Sequence, residues 1–201
     1  RDHPEDGFYP KTRAELAWMG EVSRRSGRPV SFGLTQHDSR PDLFQRVIDY
    51  AKEENATGAV VRPQTTARSV GVLFSLDTRT VFDRAASWGE LKAMAPSARL
   101  AALRDTTFRR RLIEEADAAG TGLDLDMLFV VTPLTPGGSA RYDIDPATSV
   151  GAIARERGIS GAAAFLELVV EHGGDLVCSY PFLNQQLGEV EEMLDDPLVT
   201  L

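Results

Sequence analysis

A single cysteine, Cys178, stands in 201 residues, so no intramolecular disulfide framework can form. Histidine is nearly as scarce: His3, His37 and His172 are the three, and no two share an HxH or HxxxH spacing. A self-contained zinc site needs closely spaced ligands of this kind, and the sequence offers none. No apolar run approaches the roughly 20 residues that a membrane-spanning helix requires, and no signal peptide is visible. The cytoplasm is therefore the expected location. Basic residues are outnumbered, 22 to 30, giving a formal charge of −8. A nucleic-acid surface needs clustered positive charge, and an anionic membrane would repel this chain, so neither partner is expected. The one basic run, Arg109 to Arg111, is followed by Glu114, Glu115 and Asp117, which reads as a solvated helix face with ion pairs at helical spacing.

What is present is an ordinary globular composition, 42% hydrophobic and 26% charged, with a clear alternation of element types. Thr12 and Glu15 form a capping-box pattern, followed by Leu16, Met19 and Val22 at helical spacing and then Gly27. "RPVSFGL" reads as a first strand. Pro41 opens a second helix in which Phe44, Val47, Ile48 and Ala51 make one apolar stripe. Gly58 ends it, and "AVVRP" reads as a second strand. Helix, strand, helix, strand at this pace is the repeat of a parallel α/β sheet. The stretch "VGVLFSL" (70–76) fits a buried helical turn or a short strand. Residues 82–119 read as short helices, the last with Phe108, Leu112 and Ala116 on one face. "LDMLFVVTPL" is a third strand candidate, 135–148 a loop, and Ser149 and Ser160 head two helices that Gly158 and Gly173-Gly174 close. "LVCSY", Glu189–Leu194 and "LVTL" follow as strand, helix and strand.

Chemistry in such proteins collects at the C-terminal tips of parallel strands. The first strand runs into Thr35, Gln36, His37 and Asp38; the second ends at Arg62 and Gln64. Arg62 can hold a carboxylate or phosphate through two parallel hydrogen bonds. His37 and Asp38, adjacent on an extended chain, point apart, so His37 reads as a rim or turn residue. His172 falls in a last helical turn, where a cation suits the helix dipole. "TPGGSAR" (135–141) lacks the order of a phosphate-binding loop and reads as a turn. "GLDLDM" reads as an edge pattern at the head of a strand. Cys178 has no base beside it in sequence that would make it a nucleophile.

Four stretches taken together, "GRPVSFGL", "VVRPQTTARSVGVLFSL", "TSVGAIARERGISGAAAFLELVVEHGG" and "DDPLVTL", resemble the amidohydrolases of the N-acyl-D-amino-acid deacylase (D-aminoacylase) type. The resemblance runs from about Thr12 to Leu201. It implies a partial (β/α)8 barrel of parallel strands with an irregular helical insertion, organised as 1–80, 81–148 and 149–201. It also implies hydrolysis of the amide C–N bond of an N-acyl amino acid by a zinc-activated water. The family's HxH strand would precede Arg1 and its last-strand aspartate would follow Leu201, so the chain is expected to be a piece of a longer polypeptide, inactive alone. No catalytic residue and no metal ligand is expected within it.

Where the family strand reads like "PVxISHHK", this one reads "PVSFGLTQ": Leu34 takes the place of a metal-binding histidine and Gln36 that of a lysine. The family's "VYPYTASS" wall corresponds to "VRPQTTAR", with Arg62 and Gln64 in place of two tyrosines. Arg62, Gln64, Gln36 and His37 are thus the expected contacts for a small-molecule substrate. His3 would fall near another family histidine, with Glu5 where an arginine is expected. The competing reading is a degenerate, non-catalytic module for binding or assembly. A partial barrel would also leave strand edges open to self-association, and "LVTL" would dock on a neighbouring strand of its own or another copy.

Overall fold

The computed structural model describes residues 7–133, 138–141 and 145–201. His3, Glu5 and the first three residues of "TPGGSAR", 135–137, lie outside them. The chain divides into two compact units, 1–70 with 182–201, and 71–181.

In the first unit, α1 (Phe8–Ser26) precedes β1 (Val30–Gly33), α2 (Leu43–Ala56) and β2 (Val61–Gln64). Helix α1 begins a turn before the capping-box pattern, and the Thr12 hydroxyl donates back to the Phe8 carbonyl at 3.0 Å. Its buried face is Leu16, Gly20 and Ser23, with Val22 turned outward. A Cβ at Gly20 would meet the Glu54 side chain of α2, which would have to shift. The apolar stripe of α2 packs as its spacing predicts, with Leu43, Phe44, Val47, Ile48 and Ala51 buried. Strands β1 and β2 pair in parallel, Val30 opposite Val61, Ser31 opposite Arg62, Phe32 opposite Pro63 and Gly33 opposite Gln64.

The second unit holds β3 (Val70–Phe74, its first residue belonging to the first unit), α3 (Ala86–Ala93), α4 (Pro96–Arg104) and α5 (Thr106–Ala119). Then come β4 (Phe129–Val130), α6 (Val150–Arg157), α7 (Gly161–Glu171) and β5 (Cys178–Leu183, its last two residues belonging to the first unit). Helix starts follow their caps: the side chains of Asp105, Ser149 and Ser160 accept from the backbone N–H groups of Phe108, Ala152 and Ala163. The helices close on Phe82, Trp88, Leu103, Leu112, Phe165 and Leu166. Asp124 and Asp126 do not line a strand. Asp124 caps a 3₁₀ turn, Leu125–Met127, and Asp126 binds Arg155 at 2.7 Å.

Helix α8 (Leu187–Asp195) returns to the first unit and adds Val190 and Met193 to its core. Beyond it, Thr200 bridges Gln64 in the parallel sense: Thr200 N–H donates to the Pro63 carbonyl and Thr65 N–H to the Thr200 carbonyl, both at 2.9 Å.

The expected partial (β/α)8 barrel is not what forms. The described residues make a mixed α/β protein with eight α-helices and two small sheets, one of β1 and β2, the other ordered β3-β5-β4. A barrel needs each strand to be parallel to its neighbours, and β4 pairs with β5 antiparallel. Strand β4 is two residues long because the 3₁₀ turn consumes the start of "LDMLFVV".

Candidate functional site

The parallel pair in the first unit has two unlike faces. Val61 and Pro63 are buried and Val30 and Phe32 half-buried, on the side that α1 and α2 cover. Ser31, Gly33, Arg62 and Gln64 alternate with them and are exposed. The register sets Arg62 beside Ser31 and Gln64 beside Gly33. Arg62 has no ion-pair partner among the described residues, as is also true of Lys11, Arg28 and Arg68, while Arg24, Arg46 and Lys52 of the same unit are each matched to a carboxylate. Gln64 lies two residues further along the same face, about 6.5 Å on.

At the strand tips a cavity of about 320 Å³ opens, lined by Gly33, Thr35, Gln64, Thr65, Thr66 and Asn184, with Leu34, Val70 and Leu201 as its apolar part. No charged side chain lines it. A second cavity, about 240 Å³, shares Gly33, Leu34 and Thr35 and is bounded otherwise by Phe8, Leu16, Phe32, Leu43 and Val47, with Thr12, Glu15 and His37 as its polar groups.

Asn184 organises the first cavity. It is fully buried and has φ of 54°, the only positive φ of a non-glycine among the described residues. Asparagine tolerates this left-handed conformation better than most residues. Its N–H donates to the Gln36 carbonyl at 3.1 Å, its Oδ1 accepts the Gln36 N–H at 2.8 Å, and its Nδ2 lies 3.4 Å from the hydroxyls of Thr65 and Thr66. The tips of β1 and β2 are thereby tied to the segment that leads into α8.

The four expected contact residues are divided by this geometry. Arg62 and Gln64 share the open sheet face. Gln36 does not: it is 1% exposed, and its side chain is a clamp. Its Nε2 donates to Asp38 at 2.6 Å, and its Oε1 accepts the Gln185 and Gln186 N–H groups at 3.0 and 3.4 Å. His37 is half-buried in the turn, its Nε2 3.3 Å from the Thr35 hydroxyl, and it lines the second cavity. Beside the Gln36 clamp, Glu189 of α8 has a buried Oε2 without a hydrogen-bond partner; burial first, and then the charge of Asp38, push its carboxyl above the usual carboxylate range.

Thr66 and Asn184 are not singled out by the sequence, and Thr35 only as part of the first strand's tip. Thr35 and Thr66 are unremarkable in sequence. Asn184 carries one legible signal, an asparagine directly after a strand.

The described residues do not fit a zinc ion. Leu34 is 3% exposed and belongs to the core, and a leucine has no lone pair to offer a metal. Among the described residues no group of three or more His, Cys, Asp or Glu side chains is placed to hold a metal. In the second unit, both ring nitrogens of His172 are turned to backbone carbonyls, of Leu168 at 2.8 Å and Pro133 at 3.0 Å. Cys178 is fully buried, which drives its thiol up to about 12. No described helix is long and apolar enough to cross a membrane.

No family model, no curated protein and no solved structure matches this chain.

Proposed function

We propose that this chain supplies a substrate-binding wall to an amidohydrolase-type hydrolase acting on the amide C–N bond of an N-acyl amino acid or a related small acid. The observation that carries the reading is the open face of β1 and β2. It sets Arg62, a cation without an acidic partner among the described residues, on the same face as Gln64, which lines a cavity of neutral hydrogen-bonding side chains. A guanidinium of this kind recognises a carboxylate. The hydroxyls of Thr35 and Thr66 and the amide of Gln64 suit the carbonyl and N–H of an acylated amine. A small N-acyl amino acid carries both groups a few ångströms apart.

In this reading the chain binds and orients, and the described residues are not assigned the zinc that the resemblance implies. No step through a metal is assigned to these residues. The chain alone binds N-acetyl amino acids without hydrolysing them. Calorimetric titration with N-acetylalanine tests this: Arg62→Gln weakens binding about tenfold or more, since hydrogen bonds to charged groups contribute about 1.5–3 kcal/mol each. The methyl ester of the same ligand binds as weakly to the wild type. Equal affinity for acid and ester overturns the reading, and so does turnover by the 201 residues with added zinc.

The burial of Leu34 and the full engagement of Gln36 favour one second reading, a non-catalytic module for binding or assembly. Binding of the N-acyl acid with no preference for the acid over its ester supports the module over the hydrolase.

A further inference from the structure

Gly33 stands where the two cavities meet, and it contributes to the lining of both. Glycine is a poor strand residue: it costs backbone entropy and packs nothing. Two common reasons for a glycine are absent at Gly33. Its φ is not in the left-handed region, because the positive-φ glycines are Gly7, Gly27, Gly58, Gly120, Gly122, Gly158, Gly173 and Gly174. No neighbour crowds it either, because a Cβ built on Gly33 meets no atom within 4 Å. By contrast, Gly71 is held small by the Tyr180 carbonyl and the Pro181 backbone. Open space alone does not single it out, since Gly89 and Gly188 also have ordinary φ and no atom within 4 Å of an added Cβ; what sets Gly33 apart is that it lines both cavities. A side chain at this position would project, with those of Ser31, Arg62 and Gln64, from the exposed face of the sheet.

We infer that Gly33 determines specificity, setting the size of the uncharged amide-bearing group that the strand-tip cavity admits. The inference rests on the proposed reading of this face as a substrate wall and names the part of the ligand that enters. The lining argues for a neutral group. Thr35, Gln64, Thr66 and Asn184 offer hydroxyl and amide partners and no charge, so a carboxylate entering here would lose its hydration without a counter-charge. The acyl-amide end of the ligand therefore enters, and its acid stays outside. The empty sector beside Gly33 is where the acyl chain lengthens.

The test uses neutral probes that Arg62 does not attract, namely acetamide, butanamide and hexanamide, titrated into the ¹⁵N-labelled chain and followed by amide shifts of residues 33–36, 64–66 and 184–186. In the wild type all three bind and affinity rises with chain length. Gly33→Val leaves acetamide binding within about twofold and weakens hexanamide about tenfold or more, the scale on which filling an apolar subsite discriminates. Gly33→Ala falls between and covers the case in which the valine variant does not fold. Far-UV circular dichroism and the melting temperature of each variant match the wild type, because no contact is displaced. Amides that bind the variants and the wild type equally overturn the inference, as does failure of any amide to bind the wild type. If N-acetylalanine still binds through Arg62 in those cases, the substrate-wall reading stands and only the role of Gly33 falls. If that ligand also fails to bind, both fall.

Discussion

Replacing Gln36 by alanine tests whether the strand tips are held from within. The side chain is 1% exposed and makes three hydrogen bonds: two accepted from the Gln185 and Gln186 N–H groups at 3.0 and 3.4 Å, and one donated to Asp38 at 2.6 Å. The well-formed backbone bond is worth about 1 kcal/mol and the longer one about half that. The bond to Asp38 is short and charge-assisted, but Asp38 is exposed and water replaces much of it, leaving about 0.5–1 kcal/mol. Truncation also vacates space in a closed environment, adding about 1 kcal/mol. The total loss is about 3 kcal/mol for the first unit. Native-state hydrogen exchange reads it locally, at Val30 N–H, bonded to the Val60 carbonyl, and Leu34 N–H, bonded to the Gln64 carbonyl. Gln36→Glu is the control: it preserves size and acceptor but sets a second carboxylate against Asp38, so its penalty is larger at pH 7 than at pH 4. A loss below about 1 kcal/mol for Gln36→Ala, the range of an exposed polar contact, refutes the clamp.

Three further outcomes follow from single residues. Gly71→Ala would bring a Cβ to 2.5 Å from the Tyr180 carbonyl oxygen and 2.8 Å from the Pro181 Cα, both backbone, so it destabilises the second unit by about 1–3 kcal/mol in a urea melt; an unchanged midpoint contradicts the close approach of β3 to β5. Cys178, buried and with its thiol raised to about 12, does not react with iodoacetamide at pH 8 in the native chain and reacts once urea unfolds it, which mass spectrometry distinguishes. Glu189 has a folded-state pKa above its ordinary value, so its stability contribution is intact below the carboxylate range and is lost as pH rises through the folded value. Glu189→Gln therefore raises the melting temperature relative to the wild type at pH 7 and changes it little at pH 4; the reverse order counts against burial as the cause.

Local pattern carried much of the fold. The stripe on α2, the caps Asp105, Ser149 and Ser160, and the glycine stops are each decided within a turn or two of chain, where propensity and periodicity act. The start of α1 was misplaced because Thr12 resembles a cap while its hydroxyl bonds backward within the helix. The barrel was misread for a different reason. Alternating helices and strands specify a parallel pair, but nothing in "LDMLFVV" announces that a 3₁₀ turn will shorten β4 or that β5 will meet it antiparallel. The shared exposed face of Arg62 and Gln64 is legible because strand alternation fixes it. The role of Gln36 is not, since two of its three side-chain partners lie 149 and 150 positions away in sequence, and a glutamine at a strand tip looks the same whether it faces a ligand or the chain.

The central claim is that the open face of β1 and β2 and the cavity at their tips receive a small N-acyl acid. The most direct measurement is a map of backbone amide shifts on adding N-acetylalanine to the ¹⁵N-labelled chain. The account predicts saturable shifts confined to residues 31–36, 62–66 and 184–186 that vanish in Arg62→Gln. Shifts centred elsewhere, or unchanged in that variant, contradict it.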